Sequence, residues 1–217
     1  MKAYDGIYNR YIKRVLDFIV SLPFLVVAIP VYLLICIAII SEDGLPVFYK
    51  PLRGGYKNRP FRIYKFRTMV KNADKIGGGT TAYHDPRITK VGSLLRKTKL
   101  DETANLINIF LGSMSFVGPR PELLQYTEKY EGAEKQIMEV RPGVTDFSSI
   151  EFINLDEIVG DSNADEMYEK HVLKRKNELR VKYAENVSIV TDCKIFITTV
   201  WKVLDKTFGF LVKKEHR

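Results

Sequence analysis

The sequence predicts an α/β fold, mostly helical, in which a small domain carries an N-terminal membrane helix and interfacial amphipathic helices. Three observations lead to this fold class. An uncharged stretch of 24 residues, 18–41, lies near the N-terminus, a basic segment of alternating polarity follows it, and helical periodicity dominates the rest. With 217 residues, 46% of them apolar, the chain has room for one domain with a substantial core.

The uncharged stretch is long enough to cross a bilayer, because a helix of that length rises about 36 Å and the hydrocarbon core is about 30 Å thick. It is too long for a cleavable signal peptide. Pro23 and Pro30 lie inside it, and each proline removes a helix hydrogen bond and kinks the chain. Basic residues flank both ends, which favours holding both ends on the cytoplasmic side: Lys2, Arg10, Lys13 and Arg14 before it, Lys50, Arg53, Lys57, Arg59 and Arg62 after it. We expect a re-entrant helix-break-helix, with a single transmembrane span as the open alternative.

The net charge, the cysteines and the histidines limit the classes of partner, compartment and metal site that the sequence predicts. A net charge of +8 favours a polyanionic partner, such as nucleic acid, anionic lipid or a phosphorylated substrate. Cys36 and Cys193 are far apart and have no metal-ligand spacing, which is typical of a protein in a reducing compartment. The three histidines, His84, His171 and His216, are too scattered to predict a zinc site.

Two extended segments, residues 47–53 and 61–69, follow the membrane helix and are joined by a glycine-containing turn. The second alternates apolar side chains with basic ones, among them Lys65 and Arg67. Its basic face is either a solvated strand edge or a surface that binds phosphate near the membrane, and the pattern leaves both open.

Two adjacent carboxylates, Asp101 and Glu102, stand between basic residues and an amphipathic helix that runs towards a Gly-Pro-Arg-Pro loop at 118–121. Thr98, three residues before Asp101, resembles a capping box that starts the helix, which would put both carboxylates in or beside its first turn. The plain alternative is that Asp101 caps the helix and Glu102 is solvated. Carboxylates flanked by cations, beside a rigid loop that holds Arg120, favour phosphate chemistry instead.

The C-terminal half is predicted to be helical. Residues 123–140 and 156–180 have the composition of charged surface helices, to which we assign no chemistry. Residues 187–206 form an amphipathic pattern, whose apolar stripe suits either the domain core or the bilayer interface.

Several motifs occur in order along the chain: KRVLD at 13–17, YKFRTM at 64–69, DPRITKVG at 85–92 with LRK at 95–97, LDE at 100–102, MSFVGPRP at 114–121 and RPGVT at 141–145. Together they resemble the bacterial sugar transferases, the monotopic phosphoglycosyl transferases, over roughly residues 10–205. The resemblance implies an enzyme that transfers a sugar 1-phosphate from a UDP-sugar to undecaprenyl phosphate, releases UMP and so begins surface-glycan synthesis.

The resemblance also implies a place and an architecture. Residues 1–41 correspond to a re-entrant helix-break-helix, and residues 42–217 to a cytoplasmic catalytic domain with a C-terminal amphipathic helix. The enzyme would act on the cytoplasmic leaflet of the inner (plasma) membrane. A homo-oligomer is kept as an alternative to a monomer. No nucleic acid is expected as a partner, because no nucleic-acid-binding motif accompanies the charge.

By the same resemblance, Asp101 is the nucleophile that forms a phosphosugar intermediate, Glu102 completes the acidic pair and Mg²⁺ assists. Asp101 is the expected metal ligand, since Mg²⁺ takes one or two carboxylates together with phosphate oxygens. Substrate phosphate is expected to be held by cations of the motifs and of the basic strand: Arg96, Arg120, Lys65 and Arg67. A carboxylate needs no deprotonation near pH 7 to act as a nucleophile, which agrees with this assignment.

The chain departs from the family pattern at four places, one of which is residues 146–150, where Asp-Phe-Ser-Ser-Ile stands in place of a Gly-Trp-Ala-Gln segment. Ile29 stands where a serine usually precedes the helix-breaking Pro30, so Pro23 remains a second candidate for the break. Thr103–Asn105 replaces Leu-Pro-Gln, and Arg180 replaces an aspartate with no evident compensation. The sequence predicts no donor sugar. The alternative function is a non-catalytic basic membrane module that binds anionic lipid or scaffolds a glycan-assembly complex.

Overall fold

The structure, a computed structural model, describes residues 2–73, 85–153 and 168–215. His84 and His216 lie outside the described residues, as does the part of the predicted charged helix between 154 and 167. Helices dominate the rest, with short strands between them, so the predicted mostly helical α/β class is confirmed in its main features.

Helix α1, Lys13–Asp43, follows two short turns at Ala3–Asp5 and Tyr8–Ile12. It is assigned as one helix through both Pro23 and Pro30, so the predicted break within it stays a prediction. Among the described residues, the helical segment Tyr8–Asp43 alone is long and apolar enough to cross a membrane. This segment indicates membrane association.

One face of α1 packs on the domain. Its buried residues recur at the helical period that places them on a single face: Lys13, Asp17, Ser21, Ile35 and Ile39. The other faces present exposed apolar side chains, including Leu22, Val26, Val27, Ile29, Leu33, Leu34 and Ile37. The helix therefore lies along the domain and leaves an apolar surface uncovered.

A two-stranded antiparallel ribbon follows α1. Strands β1, Phe48–Tyr49, and β2, Leu52–Arg53, pair with β4, Lys65–Phe66, and β3, Phe61–Arg62, respectively, in one continuous register. This agrees with the two predicted extended segments. Phe48 and Phe66 pack in a core cluster with Ile35 and Ile39 of α1, so the ribbon is held against the membrane helix.

The remaining elements complete the domain. They are α2, Lys90–Thr98; a 3₁₀ turn, Leu100–Ala104; α3, Asn105–Leu111; β5, Ser115–Val117; α4, Leu124–Thr127; a 3₁₀ segment, Gly132–Glu139; β6, Gly143–Thr145; α5, Phe147–Glu151; a π turn, Glu169–Leu173; α6, Lys174–Glu185; and α7, Ile189–Glu215. Strands β5 and β6 pair in parallel. The predicted single helix over 123–140 is wrong, because α4 ends after one turn and a separate 3₁₀ segment follows. Helix α6 is also less solvated than predicted, since Leu179, Arg180 and Tyr183 are buried.

Candidate active site

Asp101 and Glu102 lie in the 3₁₀ turn between α2 and α3. The predicted capping box is wrong, because the Thr98 hydroxyl donates to the carbonyl oxygen of Leu94 at 2.9 Å and so belongs to the last turn of α2. Lys99 then reverses the chain in the left-handed conformation, with φ of 57°. Oδ1 of Asp101 is buried and makes no hydrogen bond. Asp101 therefore is not the helix cap that the plain alternative required.

Side chains of helix α1 form hydrogen bonds with this turn and with α3, which follows it. The Tyr32 hydroxyl donates to the carbonyl oxygen of Thr103 at 2.6 Å. The Arg14 guanidinium donates to the carbonyl oxygens of Ile109 and Phe110, at 2.8 and 2.7 Å, where positive charge is favoured at the C-terminal end of α3. The membrane helix thus contacts both ends of the segment that carries the carboxylates, and the replacement of the family residues at 103–105 leaves α3 intact.

Glu102 is clamped by two cations. Its Oε1 accepts from Nζ of Lys65 at 2.9 Å and from a terminal nitrogen of Arg120 at 2.5 Å. Burial favours the neutral form of this carboxyl, but the charges and hydrogen bonds of Arg120 and Lys65 outweigh it and hold the pKa of Glu102 well below its usual range. Glu102 is therefore ionised and engaged, and it ties the basic ribbon to the loop that follows β5.

Asp101 stands in the opposite electrostatic setting. Burial, followed by the negative charge of Glu102, raises the pKa of Asp101 above its ordinary value. The positive charges of Lys65, Lys99 and Arg96 lower it in part. Two adjacent carboxyls with pKa values pushed in opposite directions are typical of a site in which each has a separate role.

A cavity of about 590 Å³ opens beside Asp101. Among the described residues, Asp101 is the one carboxylate in its wall, and six side chains there carry positive charge: Arg53, Lys65, Arg67, Lys71, Arg87 and Arg96. Such a volume accommodates a nucleotide-sized ligand. The excess of cations around a single unpaired carboxylate is suited to a ligand with several negative charges.

The four cations predicted to bind substrate lie in four different environments. Arg96 donates from Nε to the Thr68 hydroxyl at 2.9 Å, and its terminal amino groups make no hydrogen bond with the described residues. Lys65 lies between Glu102 and the cavity. Arg67 is buried, and one of its terminal nitrogens donates to the carbonyl oxygens of Asp43 and Gly44 at the end of α1. Its other terminal nitrogen lies 3.2 Å from the Asp43 carboxylate, so Arg67 holds the ribbon to α1.

Arg120 contacts Glu102 but does not line the described wall of the cavity. The loop that carries it requires Gly118, because a Cβ there would lie 2.3 Å from the carbonyl oxygen of Arg141. The RPGVT segment is packed against this glycine through the β5–β6 pair. The two motifs therefore form one structural unit that places Arg120, 38% of whose side chain is exposed, at the edge of the site.

Three further cavity cations, Arg53, Lys71 and Arg87, were missed by reasoning from the sequence. Arg87 belongs to the DPR motif and forms a bidentate pair with Asp85, from Nε at 2.9 Å and from a terminal nitrogen at 2.6 Å. Arg53 lies on β2, four positions along the ribbon from Tyr49. Strand alternation could have predicted the position of Arg53. The continuous register of the ribbon brings Arg53 and Lys65, which lie on different strands, to one wall of the cavity.

The donor set fits Mg²⁺ to a limited extent. No group of three or more His, Cys, Asp or Glu side chains converges within the described ranges, so no protein cage for a metal is seen there. The unpartnered oxygen of Asp101 faces cationic surroundings that would gather phosphates, and Mg²⁺ is commonly held by one carboxylate and substrate phosphate oxygens. If Mg²⁺ binds here, Asp101 is the carboxylate that would hold it, and substrate and water would have to supply the other ligands.

Residues 8–206 match the family described as bacterial sugar transferase. The chain is 37% identical over 194 residues to the uncharacterized sugar transferase EpsL of Bacillus subtilis, a match that covers 89% of this chain and 87% of the relative. It is 34% identical over 198 residues to the UDP-glucose:undecaprenyl-phosphate glucose-1-phosphate transferase of Escherichia coli, covering 89% of this chain but 40% of that protein. A protein of the same description from Klebsiella pneumoniae is 34% identical over 213 residues, with coverage of 96% and 42%. The chain thus spans less than half the length of these two named transferases.

Proposed function

The chain belongs to the bacterial sugar transferase family, and from this we propose that it transfers a sugar 1-phosphate from a UDP-sugar to undecaprenyl phosphate, with release of UMP. One observation carries the proposal: Asp101 has a buried carboxylate oxygen without a hydrogen-bond partner, in the wall of a cavity whose other charged side chains, among the described residues, are all cations. The Escherichia coli and Klebsiella pneumoniae relatives are described as transferring glucose 1-phosphate from UDP-glucose to undecaprenyl phosphate.

In the proposed mechanism, an Asp101 carboxylate oxygen attacks the β-phosphorus of the UDP-sugar. A bond forms between that oxygen and the β-phosphorus, and the bond from the β-phosphorus to the bridging oxygen breaks. The bridging oxygen keeps the electron pair and leaves as part of UMP. A phosphate oxygen of undecaprenyl phosphate then attacks the same phosphorus, which restores the Asp101 carboxylate and gives the lipid-linked sugar diphosphate. No proton has to be removed from the nucleophile.

The cations of the cavity would reduce the repulsion between the Asp101 carboxylate and the diphosphate of the donor. No described residue accepts a hydrogen bond from the terminal amino groups of Arg96, which lines the cavity, and we propose that these groups bind phosphate oxygens of the donor. Lys65 stands between Glu102 and the cavity, where it can stabilise charge on the transferred group. Glu102 is a positioning residue in this scheme, because it holds Lys65 and Arg120 in place. Mg²⁺, when bound at Asp101, would neutralise part of the diphosphate charge.

The proposed reaction can be tested by measuring UMP release. The purified full chain in detergent or nanodiscs is incubated with undecaprenyl phosphate and a panel of UDP-sugars. We expect one or a few donors to yield UMP in a reaction that depends on Mg²⁺ and is abolished by a chelator. Failure of every donor, with binding to anionic liposomes preserved, would instead support the non-catalytic basic membrane module.

We further propose that α1 enters and leaves the cytoplasmic leaflet of the inner membrane. Near its start, Lys13 forms a buried ion pair with Asp192 of α7. At its end, Glu42 accepts from the backbone nitrogens of Lys90 and Val91 at 2.7 and 2.9 Å. Lys13 and Glu42 are 29 residues apart, about 44 Å along a straight helix, which exceeds a hydrocarbon core of about 30 Å. Contact of both ends with one polar domain supports the re-entrant arrangement over a span.

Helix α7 supports an interfacial position for the domain. Its described part exposes an apolar set that the domain leaves uncovered: Ile189, Val190, Phe196, Ile197, Val200, Trp201 and Leu204. Of the two positions left open for this helix, we propose the bilayer interface for these side chains and the domain core for the face that carries buried Ile195. The cavity would then lie near the lipid headgroups.

The topology is testable by cysteine labelling. Single cysteines replace Asp5 and Leu45 in a chain whose native Cys193, which is exposed, is changed to serine. A membrane-impermeant maleimide added to intact cells is expected to label neither position until the membrane is permeabilised. Labelling of one position from outside would contradict the re-entrant proposal and support a single transmembrane span.

A further inference from the structure

Tyr49 is a cavity-lining side chain that the phosphate chemistry does not use. It lies on β1 directly opposite Lys65 of β4. Residues opposed in an antiparallel pair project to the same face, with their Cβ atoms about 4.5–5.5 Å apart. Tyr49 therefore lies on the same face of the ribbon as the lysine that reaches Glu102, and it lines the same cavity as Asp101.

The other two aromatic side chains of this wall, Phe48 and Phe66, pack against each other. Phe48 stacks on Phe66, with ring centroids 5.2 Å apart, and Phe66 is 1% exposed. Tyr49 instead is 51% exposed, and its ring makes no contact with another described ring. A large aromatic face is therefore left uncovered within a cationic cavity.

Tyr49 has a charged neighbour in the cavity wall, Arg53. Arg53, on the next strand of the ribbon, also lines the cavity and is close enough to Tyr49 for the two side chains to interact electrostatically. An exposed ring next to a guanidinium suits a ligand in which a planar group is joined to phosphate. Nucleic-acid bases stack on such rings without needing particular hydrogen bonds.

We propose that Tyr49 is the stacking platform for the pyrimidine base of a nucleotide donor, and that Arg53 holds the phosphate next to that base. This inference rests on the proposed function, which supplies the UDP-sugar as the ligand. It adds a binding residue for the part of the donor that becomes UMP. The sugar would then lie towards Asp101, where the β-phosphorus is attacked.

The test compares UMP with ribose 5-phosphate, which has a sugar and a phosphate but no base. Both are titrated into the full chain in nanodiscs by calorimetry. Wild type is expected to bind UMP more tightly, and Tyr49→Ala to weaken UMP binding about tenfold while binding of ribose 5-phosphate stays unchanged. Tyr49→Phe should keep the wild-type affinity, because the ring and not the hydroxyl stacks on the base.

Tyr11→Ala is the matched control, since Tyr11 is also exposed, at 67%, but lies outside the cavity wall. It should leave both affinities unchanged. Equal loss of both ligands in Tyr49→Ala, or no loss of UMP binding, overturns the inference. If wild type turns over a UDP-sugar and Tyr49→Ala leaves its KM unchanged, the inference fails while the proposed function stands. Tyrosine-dependent UMP binding without turnover of any donor supports the base platform and counts against the proposed reaction.

Discussion

Asp101→Asn is expected to lower the rate of UMP release by at least about 10³-fold while the protein keeps its fold. The amide has nearly the shape of the carboxylate but is a far weaker nucleophile. Folding should not suffer, because Oδ1 of Asp101 has no hydrogen-bond partner to lose and its burial already disfavours the charged form. The measurements are UMP release with the best donor and the thermal unfolding midpoint in the same detergent.

Asp205→Asn is the control for this change, since Asp205 is exposed on α7, and it should leave the rate unchanged. With donor but no acceptor, mass spectrometry of wild type should show the added mass of one sugar phosphate, and Asp101→Asn should show none. Only the ionised carboxylate attacks, and the pKa of Asp101 is raised, so kcat/KM should fall as the pH drops through a value above the ordinary aspartate range. Activity of Asp101→Asn within tenfold of wild type would exclude the covalent mechanism.

The elements that could be predicted from the sequence are those specified by local pattern. The ribbon followed from alternation and a glycine-containing turn, and the segment 88–97 followed from helical spacing, which the structure places at Lys90–Thr98. The position of Asp101 beside α3 was also predicted, but for a reason that is wrong. Thr98 suggested a cap, whereas the left-handed Lys99 separates α2 from the turn, and a left-handed lysine has no distinctive sequence pattern.

The contacts that support the site are long-range, which is why they were missed. Tyr32 reaches Thr103, 71 positions later, and Arg14 reaches Ile109, 95 positions later. One pattern in the sequence did carry part of this information. Lys13, Asp17 and Ser21 recur every four residues at the start of an otherwise apolar helix, and this polar stripe is the face that the domain buries. A stripe of that kind predicts a protein contact, because hydrocarbon would not solvate it.

Arg180 was expected to lack compensation where the family has an aspartate, and the structure supplies it. Arg180 is 1% exposed and donates to Oε2 of Glu122 at 2.9 Å and to Oδ1 of Asn177 at 3.0 Å. Burial favours the neutral form of Glu122, yet Arg180 and the Tyr168 hydroxyl hold the pKa of Glu122 below its usual value. Glu122 comes two residues after Arg120, so this pair ties α6 to the loop that carries a cation of the site.

Arg180→Ala is therefore expected to destabilise the protein by about 3–5 kcal/mol, because it leaves the Glu122 carboxylate buried without its cation. For a chain of this size that corresponds to a fall in the unfolding midpoint of about 6–20 °C, measured by thermal unfolding in detergent. Arg175→Ala is the matched control on the same helix, since Arg175 pairs with Glu151 and Glu178 in exposed positions, and such pairs are worth about 1 kcal/mol or less. The double change Arg180→Met with Glu122→Leu removes both charges and should recover much of the lost stability. Equal midpoints for Arg180→Ala and Arg175→Ala would show that the buried pair does not hold the Arg120 loop to α6.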